Sequence, residues 1–246
     1  MLTEKIKLTN ENVTLTTYVL DSSPEMEHMS KKPAVLICPG GGYHFCSDRE
    51  AEPIAAAFLA MGLHAFVLRY SLKENAVFPK PLNDAEEALE YIRDNAERYN
   101  VIPDKIAVCG FSAGGHLAAA LGTMGRVRPN AMILCYACIT KYICQDTKVL
   151  AKNVPVIDTA VDSSTPPTFI FATCSDTCVN IENSVTMMAA LTREGVPFES
   201  HIFSEGPHGL ATSSLVTSPK GSQGDNGDCA KWLELCRSWL YRLFFD

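Results

Sequence analysis

The sequence lacks the features that mark membrane, secreted and nucleic-acid-binding proteins. None of its apolar runs approaches the roughly 18 residues that a membrane-spanning helix needs. The N-terminal stretch MLTEKIKLTNENVTLT is polar and has neither the apolar middle nor the small-residue cleavage site of a signal peptide. Lysine and arginine number 21 against 28 acidic residues, and the resulting charge of −7 argues against binding to a phosphate backbone. We therefore expect a cytoplasmic protein that binds neither nucleic acid nor a membrane.

A convincing metal-binding or disulfide pattern is also missing, although the chain has ten cysteines. Cys38, Cys109 and Cys135 lie within apolar runs, where a thiol behaves as a small buried hydrophobic group. Cys135 and Cys138 have the spacing of half a zinc site, but no second matched pair follows. Cys46 lies near a glycine-rich segment, and we expect it to pack rather than to touch a substrate. No metal ion and no other cofactor is expected.

The sequence does contain a regular alternation of predicted strands and helices. This alternation predicts an α/β fold with a mainly parallel, doubly wound sheet and helices on both faces. The first strand alternates between apolar and polar residues, which predicts an antiparallel edge. No repeat or linker divides the chain, so we expect one domain over residues 1–246. The predicted strands, which are short apolar runs, are Val13–Leu20, Ala34–Cys38, Leu63–Arg69, Lys105–Cys109, Ala131–Tyr136, Thr168–Thr173 and Phe198–Phe203. The predicted helices are Ala51–Met61, Leu82–Ala96, Gly115–Met124, Ile181–Glu194 and Asp228–Phe245.

Two segments fall outside this alternation. Ala137–Pro167 mixes polar, charged and proline residues between two strands, and we interpret it as a short insertion over the sheet rather than a large lid. Ser213–Asp228 is rich in glycine, serine and aspartate, which is typical of a loop.

The segment VCGFSAGGH places Ser112 between Gly110 and Gly114, after a predicted strand and before a predicted helix. This spacing is typical of a nucleophile elbow, a tight turn that presents a serine at the carboxyl edge of the sheet. The N–H of Ala113 points to the same place from the start of the helix. The alternative is an ordinary N-cap serine. The preceding strand, the following helix and the doubled glycine favour the nucleophile.

A second glycine-rich segment, LICPGGGYHFCSD, follows the predicted strand Ala34–Cys38. Its run Gly40, Gly41 and Gly42 exposes backbone N–H groups that suit the binding of an oxyanion. A flexible turn is the alternative, and a phosphate-binding loop is disfavoured because no Lys-Ser/Thr pair follows at the required spacing.

A serine nucleophile needs a base, and the base needs an acid that orients it. In sheets of this kind the chain order is serine, then acid, then histidine. Asp176 follows the strand Thr168–Thr173, and His208 follows the strand Phe198–Phe203. Both positions are at the carboxyl edge, where open α/β sheets bind ligands. The order and the positions predict Ser112, Asp176 and His208 as a catalytic triad.

Other acids and histidines fit this arrangement less well. Asp158 and Asp162 precede their strand, Asp228 follows the histidine, and Glu182 falls within a helix. His64 and His201 lie in strands, and we interpret His116, one turn after the serine, as a packed and hydrogen-bonded side chain.

With these segments in place, the chain resembles the α/β-hydrolase superfamily, and within it the small bacterial acetyl xylan esterases and BD-FAE-type carbohydrate esterases. The resemblance extends from about Thr16 to the last helix and rests on stretches such as PAVLICPGGGY, KIAVCGFSAGGHLAA, PPTFIFATCSD and PHGL. It implies Ser112 as nucleophile, His208 as general base and acid, and Asp176 as its orienting residue. It also implies that the N–H groups of Gly41, Gly42 and Ala113 form the oxyanion hole.

The sequence departs from relatives at two positions. Pro39 stands where related hydrolases often have histidine, a form familiar in the esterase branch. Only one acid, Asp176, stands where relatives often have two.

The expected function is a serine esterase that removes short acyl groups, such as acetyl, from sugars or xylo-oligosaccharides through an acyl-enzyme. Tyr43, His44, Arg49 and Tyr70 are the candidate substrate-binding residues, each equally compatible with a structural role. A general short-chain carboxylesterase or an aryl formamidase would use the same triad. A peptidase is disfavoured, because relatives that cleave peptides usually carry a large additional domain. A catalytically silent binding protein is the alternative outside enzymes. The residues leave the oligomeric state open.

Overall fold

The structure, a computed structural model, describes residues 1–140, 154–218 and 227–245, and these residues form an eight-stranded sheet. The strands lie in the order β1-β2-β4-β3-β5-β6-β7-β8. The six strands from β4 to β8 in this order are parallel, whereas β1 and β2 run antiparallel at one side. The strand bounds are β1 Lys5–Lys7, β2 Thr14–Tyr18, β3 Lys32–Cys38, β4 His64–Arg69, β5 Val101–Phe111, β6 Ala131–Cys135, β7 Thr168–Thr173 and β8 Phe198–Phe203.

Helices cover both faces of this sheet. Helices α2, α4 and α5 contribute to the apolar core on one face, and α1 and α6 contribute to the core on the other. Within β3, Leu36 belongs to the first core and its neighbours Val35 and Ile37 belong to the second, as expected for a strand buried on both sides. The helices are α1 Glu52–Ala60, α2 Lys80–Asp94, α3 Ala96–Tyr99, α4 Ala113–Met124, α5 Glu182–Arg193 and α6 Trp232–Phe244. Short 3₁₀ helices span Pro24–Met29, Asp48–Glu50, Lys73–Asn75, Asp158–Ala160 and Gly227–Lys231.

The α/β class and the mainly parallel, doubly wound sheet predicted from the sequence are therefore confirmed. The prediction of an antiparallel edge was wrong in one detail, because β1 pairs outside β2 and forms the edge itself. Its sequence, KIK, is too short to show a period, and its pairing with β2 holds it in place. Strand β5 begins at Val101, earlier than predicted, because Val101 pairs with Lys32.

Helix bounds differ by a few residues at segment ends, where sequence periodicity is weakest. The last helix begins at Trp232, after a 3₁₀ turn, rather than at Asp228. Parts of the predicted insertion Ala137–Pro167 and of the predicted loop Ser213–Asp228 lie outside the described residues. Among the helices that are described, none has both the length and the apolar character that crossing a membrane requires.

Candidate active site

The turn between β5 and α4 carries Ser112 in an unusual backbone conformation. Its φ of 53° and ψ of −117° lie in a region that non-glycine residues rarely occupy, at a cost of about 1–3 kcal/mol. The surrounding structure holds this conformation: the N–H of Ser112 donates to the Cys135 carbonyl at 3.0 Å, and its carbonyl accepts the N–H of His116 at 3.0 Å. Ser112 is thus fixed at the carboxyl end of a central strand, in the manner expected of a nucleophile elbow.

The glycines around Ser112 allow backbone segments to approach each other closely. A Cβ at Gly110 would lie 2.2 Å from the carbonyl oxygen of Gly114. A Cβ at Gly114 would lie 2.1 Å from the Cys38 carbonyl oxygen and 2.4 Å from that of Pro39. Real Cβ atoms do not approach backbone oxygens so closely, so any side chain at either position would push the strand, the helix or the loop after β3 apart.

A chain of hydrogen bonds links Ser112, His208 and Asp176. The Oγ of Ser112 lies 2.9 Å from Nε2 of His208, and Nδ1 of His208 lies 2.7 Å from Oδ2 of Asp176. Asp176 follows β7 and His208 follows β8, so the structure brings together the residues that the sequence placed at this edge. The Asp176 side chain is almost fully buried, whereas that of His208 remains 22% exposed.

The contacts of Asp176 determine which nitrogen of His208 carries the proton. Its Oδ1 accepts the backbone N–H groups of Cys178 at 2.8 Å and Val179 at 2.9 Å, which leaves Oδ2 for the histidine. Because a carboxylate can only accept, Nδ1 of the neutral imidazole is the protonated nitrogen, and Nε2 is left to accept the hydroxyl proton of Ser112. The ring of Tyr136 packs edge-on against the imidazole, with centroids 5.0 Å apart. The arrangement can therefore act as a general base toward the serine.

Residues 40–42, which we call the glycine loop, lie against Ser112. Gly41 and Gly42 have φ values of 127° and 64°, and a Cβ at Gly41 would lie 2.1 Å from the Phe45 carbonyl oxygen, so glycine is required at Gly41. The carbonyl of Gly41 accepts the N–H groups of His44 and Phe45 and closes a tight turn. Ala113 is the first residue of α4, where a helix N–H has no intrahelical acceptor. Backbone donors on two sides of Ser112 are thus available to a developing oxyanion.

The serine opens into a cavity of about 370 Å³, which is small for a ligand pocket. Two of the four predicted substrate-binding residues, His44 and Arg49, line it. Arg49, however, uses Nη1 to donate to the carbonyls of Gly209 and Thr217, so it also holds the loop around His208. Phe45 and Cys178 also line the cavity, and the exposed ring of Phe45 lies at its mouth.

The prediction that Tyr43 and Tyr70 bind substrate was wrong, because both side chains are buried in the core beneath the glycine loop. Tyr43 has a φ of 61°, and its hydroxyl donates to Nδ1 of His116 at 2.9 Å. The hydroxyl of Tyr70 donates to the carbonyl of Pro39 at 2.5 Å. Both tyrosines support the loop from below rather than facing the cavity.

Sequence reasoning missed two residues of this site. Glu50, whose carboxylate is buried, accepts hydrogen bonds from the Gly40 N–H and the Tyr136 hydroxyl. Burial raises the pKa of Glu50, and those two hydrogen bonds oppose the rise. Phe45 is 59% exposed at the cavity mouth, an unusual position for a large aromatic side chain. The available signals were an acid among several before an apolar helix and an aromatic residue close to three glycines, and neither pattern is specific.

The histidines that were set aside have structural roles. His116 is fully buried, its Nε2 donates to the Pro155 carbonyl at 2.9 Å, and burial lowers its pKa to about 4. His64 lies within β4, and burial likewise lowers its pKa to about 4. His201 contacts Glu199 at 2.9 Å. The thiols predicted to be buried, those of Cys38, Cys109, Cys135 and Cys46, are indeed buried.

Two protein-family models match the chain. The BD-FAE model matches residues 20–132, and the prolyl oligopeptidase family model matches residues 79–218, which contain the three hydrogen-bonded residues described above.

Among curated proteins, the chain is 30% identical over 198 residues to an acetylxylan esterase of Xylanibacter ruminicola, with 72% of the chain and 41% of that protein covered. The chain spans less than half of the length of the curated relatives that it matches.

Solved structures match over almost the whole chain. An alpha/beta hydrolase from a Medee basin deep-sea metagenome library is 47% identical, with a TM-score of 0.92 and coverage of 99% of this chain and 98% of that one. An acetyl ester-xyloside bifunctional hydrolase from Caldicellulosiruptor lactoaceticus is 34% identical, with a TM-score of 0.81 and coverage of 95% and 89%.

Proposed function

Because the chain belongs to the α/β-hydrolase superfamily, in its carbohydrate-esterase branch, we propose that it is a serine esterase that removes short acyl groups, acetyl in particular, from sugars or short oligosaccharides. The observation that carries this proposal is the hydrogen-bonded chain from Asp176 through His208 to Ser112 at the floor of an open cavity.

In the proposed reaction, Oγ of Ser112 attacks the acyl carbonyl while Nε2 of His208 takes the hydroxyl proton. The carbonyl oxygen becomes an oxyanion that accepts hydrogen bonds from the N–H groups of Gly41, Gly42 and Ala113. Each such donor contributes roughly 3 kcal/mol to the stability of the transition state. The tetrahedral intermediate collapses, and the alcohol leaves with the proton held by His208.

The acyl-enzyme is then hydrolysed by the same groups. A water molecule gives a proton to Nε2 of His208 and attacks the acyl carbon, and the second tetrahedral intermediate collapses to release the carboxylic acid. The proton returns from His208 to Oγ of Ser112. Asp176 orients the imidazole in both steps and stabilises its charged form.

Two features support a small acyl group on a sugar. The cavity of about 370 Å³ lies at the low end of the range for ligand pockets, so it suits acetyl better than a long acyl chain. The exposed ring of Phe45 at its mouth offers an apolar surface on which the C–H face of a sugar ring can stack. Relatives named as an acetylxylan esterase and an acetyl ester-xyloside hydrolase agree with this substrate class.

The test measures acetate release from acetylated xylo-oligosaccharides beside hydrolysis of p-nitrophenyl acetate, butyrate and octanoate. Ser112→Ala is compared with wild type, and Ser238→Ala, a change at an exposed serine of α6, serves as the control. We expect release from the sugar that depends on Ser112, with kcat/KM falling as the acyl chain lengthens.

The other outcomes separate the alternatives. Hydrolysis of aryl esters alone would assign a general carboxylesterase, and cleavage of a formanilide but not of sugar esters would assign an aryl formamidase. Faster cleavage of a proline-containing peptide anilide than of any ester would assign a peptidase. Full activity in Ser112→Ala would refute the mechanism.

A further inference from the structure

Glu50 lies between the glycine loop and the loop that carries His208 (residues 204–211, the histidine loop). Its side chain is only 3% exposed. Its Oε2 accepts the N–H of Gly40 at 2.8 Å, and its Oε1 accepts the hydroxyl of Tyr136 at 2.7 Å. A buried carboxylate destabilises a fold unless it is well hydrogen-bonded, so a residue of this kind beside a reactive serine calls for an explanation.

The second partner, Tyr136, extends this contact to the histidine loop. Its hydroxyl oxygen accepts the backbone N–H of Ala211 at 2.9 Å, three residues beyond His208. Its ring also packs edge-on against the imidazole of His208. A continuous path of hydrogen bonds therefore runs from Gly40 through Glu50 and Tyr136 to Ala211.

The first partner, Gly40, lies against the serine itself. A Cβ at Gly40 would lie 2.7 Å from Oε2 of Glu50 and 3.1 Å from Cβ of Ser112. The absence of a side chain thus lets the carboxylate approach the loop, and the loop approach the serine. A displacement of Glu50 would be transmitted to the N–H groups of residues 41 and 42.

The hydrogen bonds around Glu50 are those of an ionised carboxylate. The Gly40 N–H can only donate, and the Tyr136 hydroxyl, which already accepts from Ala211, directs its own hydrogen at Glu50. Burial raises the pKa of Glu50, whereas these two hydrogen bonds and electrostatic interactions with His208 and Arg49 lower it.

The other titratable groups around Glu50 are neutral. Burial raises the pKa of each nearby thiol and phenol, and these are Tyr136, Cys109, Cys135, Tyr70 and Cys46. Asp176, Ser112 and Tyr136 contact His208 directly, and Glu50, Arg49 and His44 line the same cavity as His208. Glu50 is therefore a second anion, besides Asp176, that acts on the imidazolium.

On the basis of the esterase function proposed above, we propose that Glu50 is a positioning residue for that reaction. It holds the glycine loop and the histidine loop in their relative positions through hydrogen bonds, and it places a second negative charge near the imidazolium that forms on His208.

Two substitutions separate these effects. Glu50→Ala removes both hydrogen bonds, and we expect kcat for p-nitrophenyl acetate to fall about 10- to 100-fold, because a displacement of about 1 Å in a reacting group has an effect of this size. KM should change by less than about threefold, since Glu50 is buried and the variant retains His44 and Phe45, the exposed side chains that line the cavity. Glu50→Gln keeps an acceptor for Gly40 and can donate to the second lone pair of the Tyr136 hydroxyl, so it should retain more of kcat than Glu50→Ala.

The pH dependence of kcat/KM tests the effect of the Glu50 charge separately from the effect of Glu50 on the positions of the two loops. Loss of the negative charge in Glu50→Gln makes the imidazolium less stable, so the acid limb of the kcat/KM profile should move to lower pH, by roughly half to one unit. The matched control is Glu52→Gln, which makes the same charge change at an exposed side chain two residues away and should leave the limb in place. Tyr136→Phe removes the hydroxyl that links Glu50 to Ala211 while Glu50 itself is retained, and it should lower kcat about tenfold. This variant tests the positioning role even if Glu50→Ala does not fold.

Wild-type kcat in Glu50→Ala and Tyr136→Phe would overturn the positioning role. An acid limb that stays in place in Glu50→Gln, or moves equally in Glu52→Gln, would overturn the role of the charge. Ser112→Ala, assayed in parallel, keeps the two proposals distinct. Activity in that variant would refute the esterase mechanism itself, whereas its inactivity beside unaffected Glu50 variants would refute only the role of Glu50.

Discussion

Asp176→Asn should abolish most of the proposed esterase activity, although it only replaces one carboxylate oxygen of the side chain by an NH₂ group. The two backbone N–H groups that bind Oδ1, those of Cys178 and Val179, can only donate, so the amide oxygen of the new asparagine must face them. The opposite orientation would leave two buried donors facing an NH₂ group, at about 1–3 kcal/mol for each unsatisfied group. The amide NH₂ therefore faces Nδ1 of His208 and forces that nitrogen to accept.

In this tautomer, Nε2 carries the proton and points it at Ser112, so the histidine cannot accept the hydroxyl proton. The expected fall in kcat is about 10⁴-fold, the loss known for the same change in a serine protease triad, which corresponds to about 5.5 kcal/mol. The assay is kcat for p-nitrophenyl acetate at pH 8, with circular dichroism and thermal unfolding to confirm that the fold is retained.

Asp162→Asn is the matched control for this prediction. Asp162 is bound by Arg128 at 2.6 Å and lies before β7, at the end of the sheet away from Ser112. This variant should keep wild-type kcat. A kcat within tenfold of wild type in Asp176→Asn, or an equal loss in both variants, would refute the assignment of Asp176 as the orienting acid.

Two further predictions concern packing and pH. Gly114→Ala would place a Cβ 2.1 Å from the Cys38 carbonyl oxygen, so we expect a loss of unfolding free energy of about 1–3 kcal/mol, and of kcat by about 100-fold. Gly195→Ala, at a φ of 68° but with no atom of the described residues within 4 Å of the added Cβ, should leave kcat unchanged; equal kcat in both variants would contradict the steric argument. Burial lowers the pKa of His116 to about 4 in the folded protein, whereas its ordinary value is 6.5. Between these two pH values the side chain is therefore protonated in the unfolded chain but not in the folded one. Stability should therefore fall as the pH drops from 6.5 toward 4, by about 3 kcal/mol from this residue. Between pH 7 and pH 4.5, the free energy of unfolding in urea should fall less in His116→Gln than in wild type. An equal fall in both proteins would contradict a lowered pKa for His116. His28→Gln, at an exposed position, is the control.

Several parts of the site could be read from the sequence because they depend on chain order at one sheet edge. Parallel strands end at the same edge, so residues that directly follow β5, β7 and β8 must lie near one another whatever the details of packing. This is why Ser112, Asp176 and His208 could be named together although 64 and 32 residues separate successive members. The spacing of Gly110 and Gly114 likewise indicated the close backbone approach that the structure contains.

The loop after β3 could not be read in the same way. The neighbouring residues Tyr43, His44 and Phe45 show no periodicity that could separate inward from outward side chains. The positive φ of Tyr43 turns its ring into the core, while His44 and Phe45 remain at the surface. That turn is stabilised by the hydrogen bond from Tyr43 to His116, which is 73 residues away in the chain. A contact between residues so far apart in the chain cannot be predicted from the local sequence around Tyr43.

The sequence by itself thus determined the alternation of strands and helices, the elbow at Ser112, and the order in which serine, acid and histidine reach the sheet edge. These features follow from short-range periodicity and from the geometry of parallel strands. Only the tertiary structure decided that Tyr43 and Tyr70 are core residues, that Phe45 stands at the cavity mouth, and that Glu50 is buried between two loops. The physical reason is that an irregular loop takes its conformation from long-range contacts and close backbone packing, and these arise only when distant parts of the chain meet.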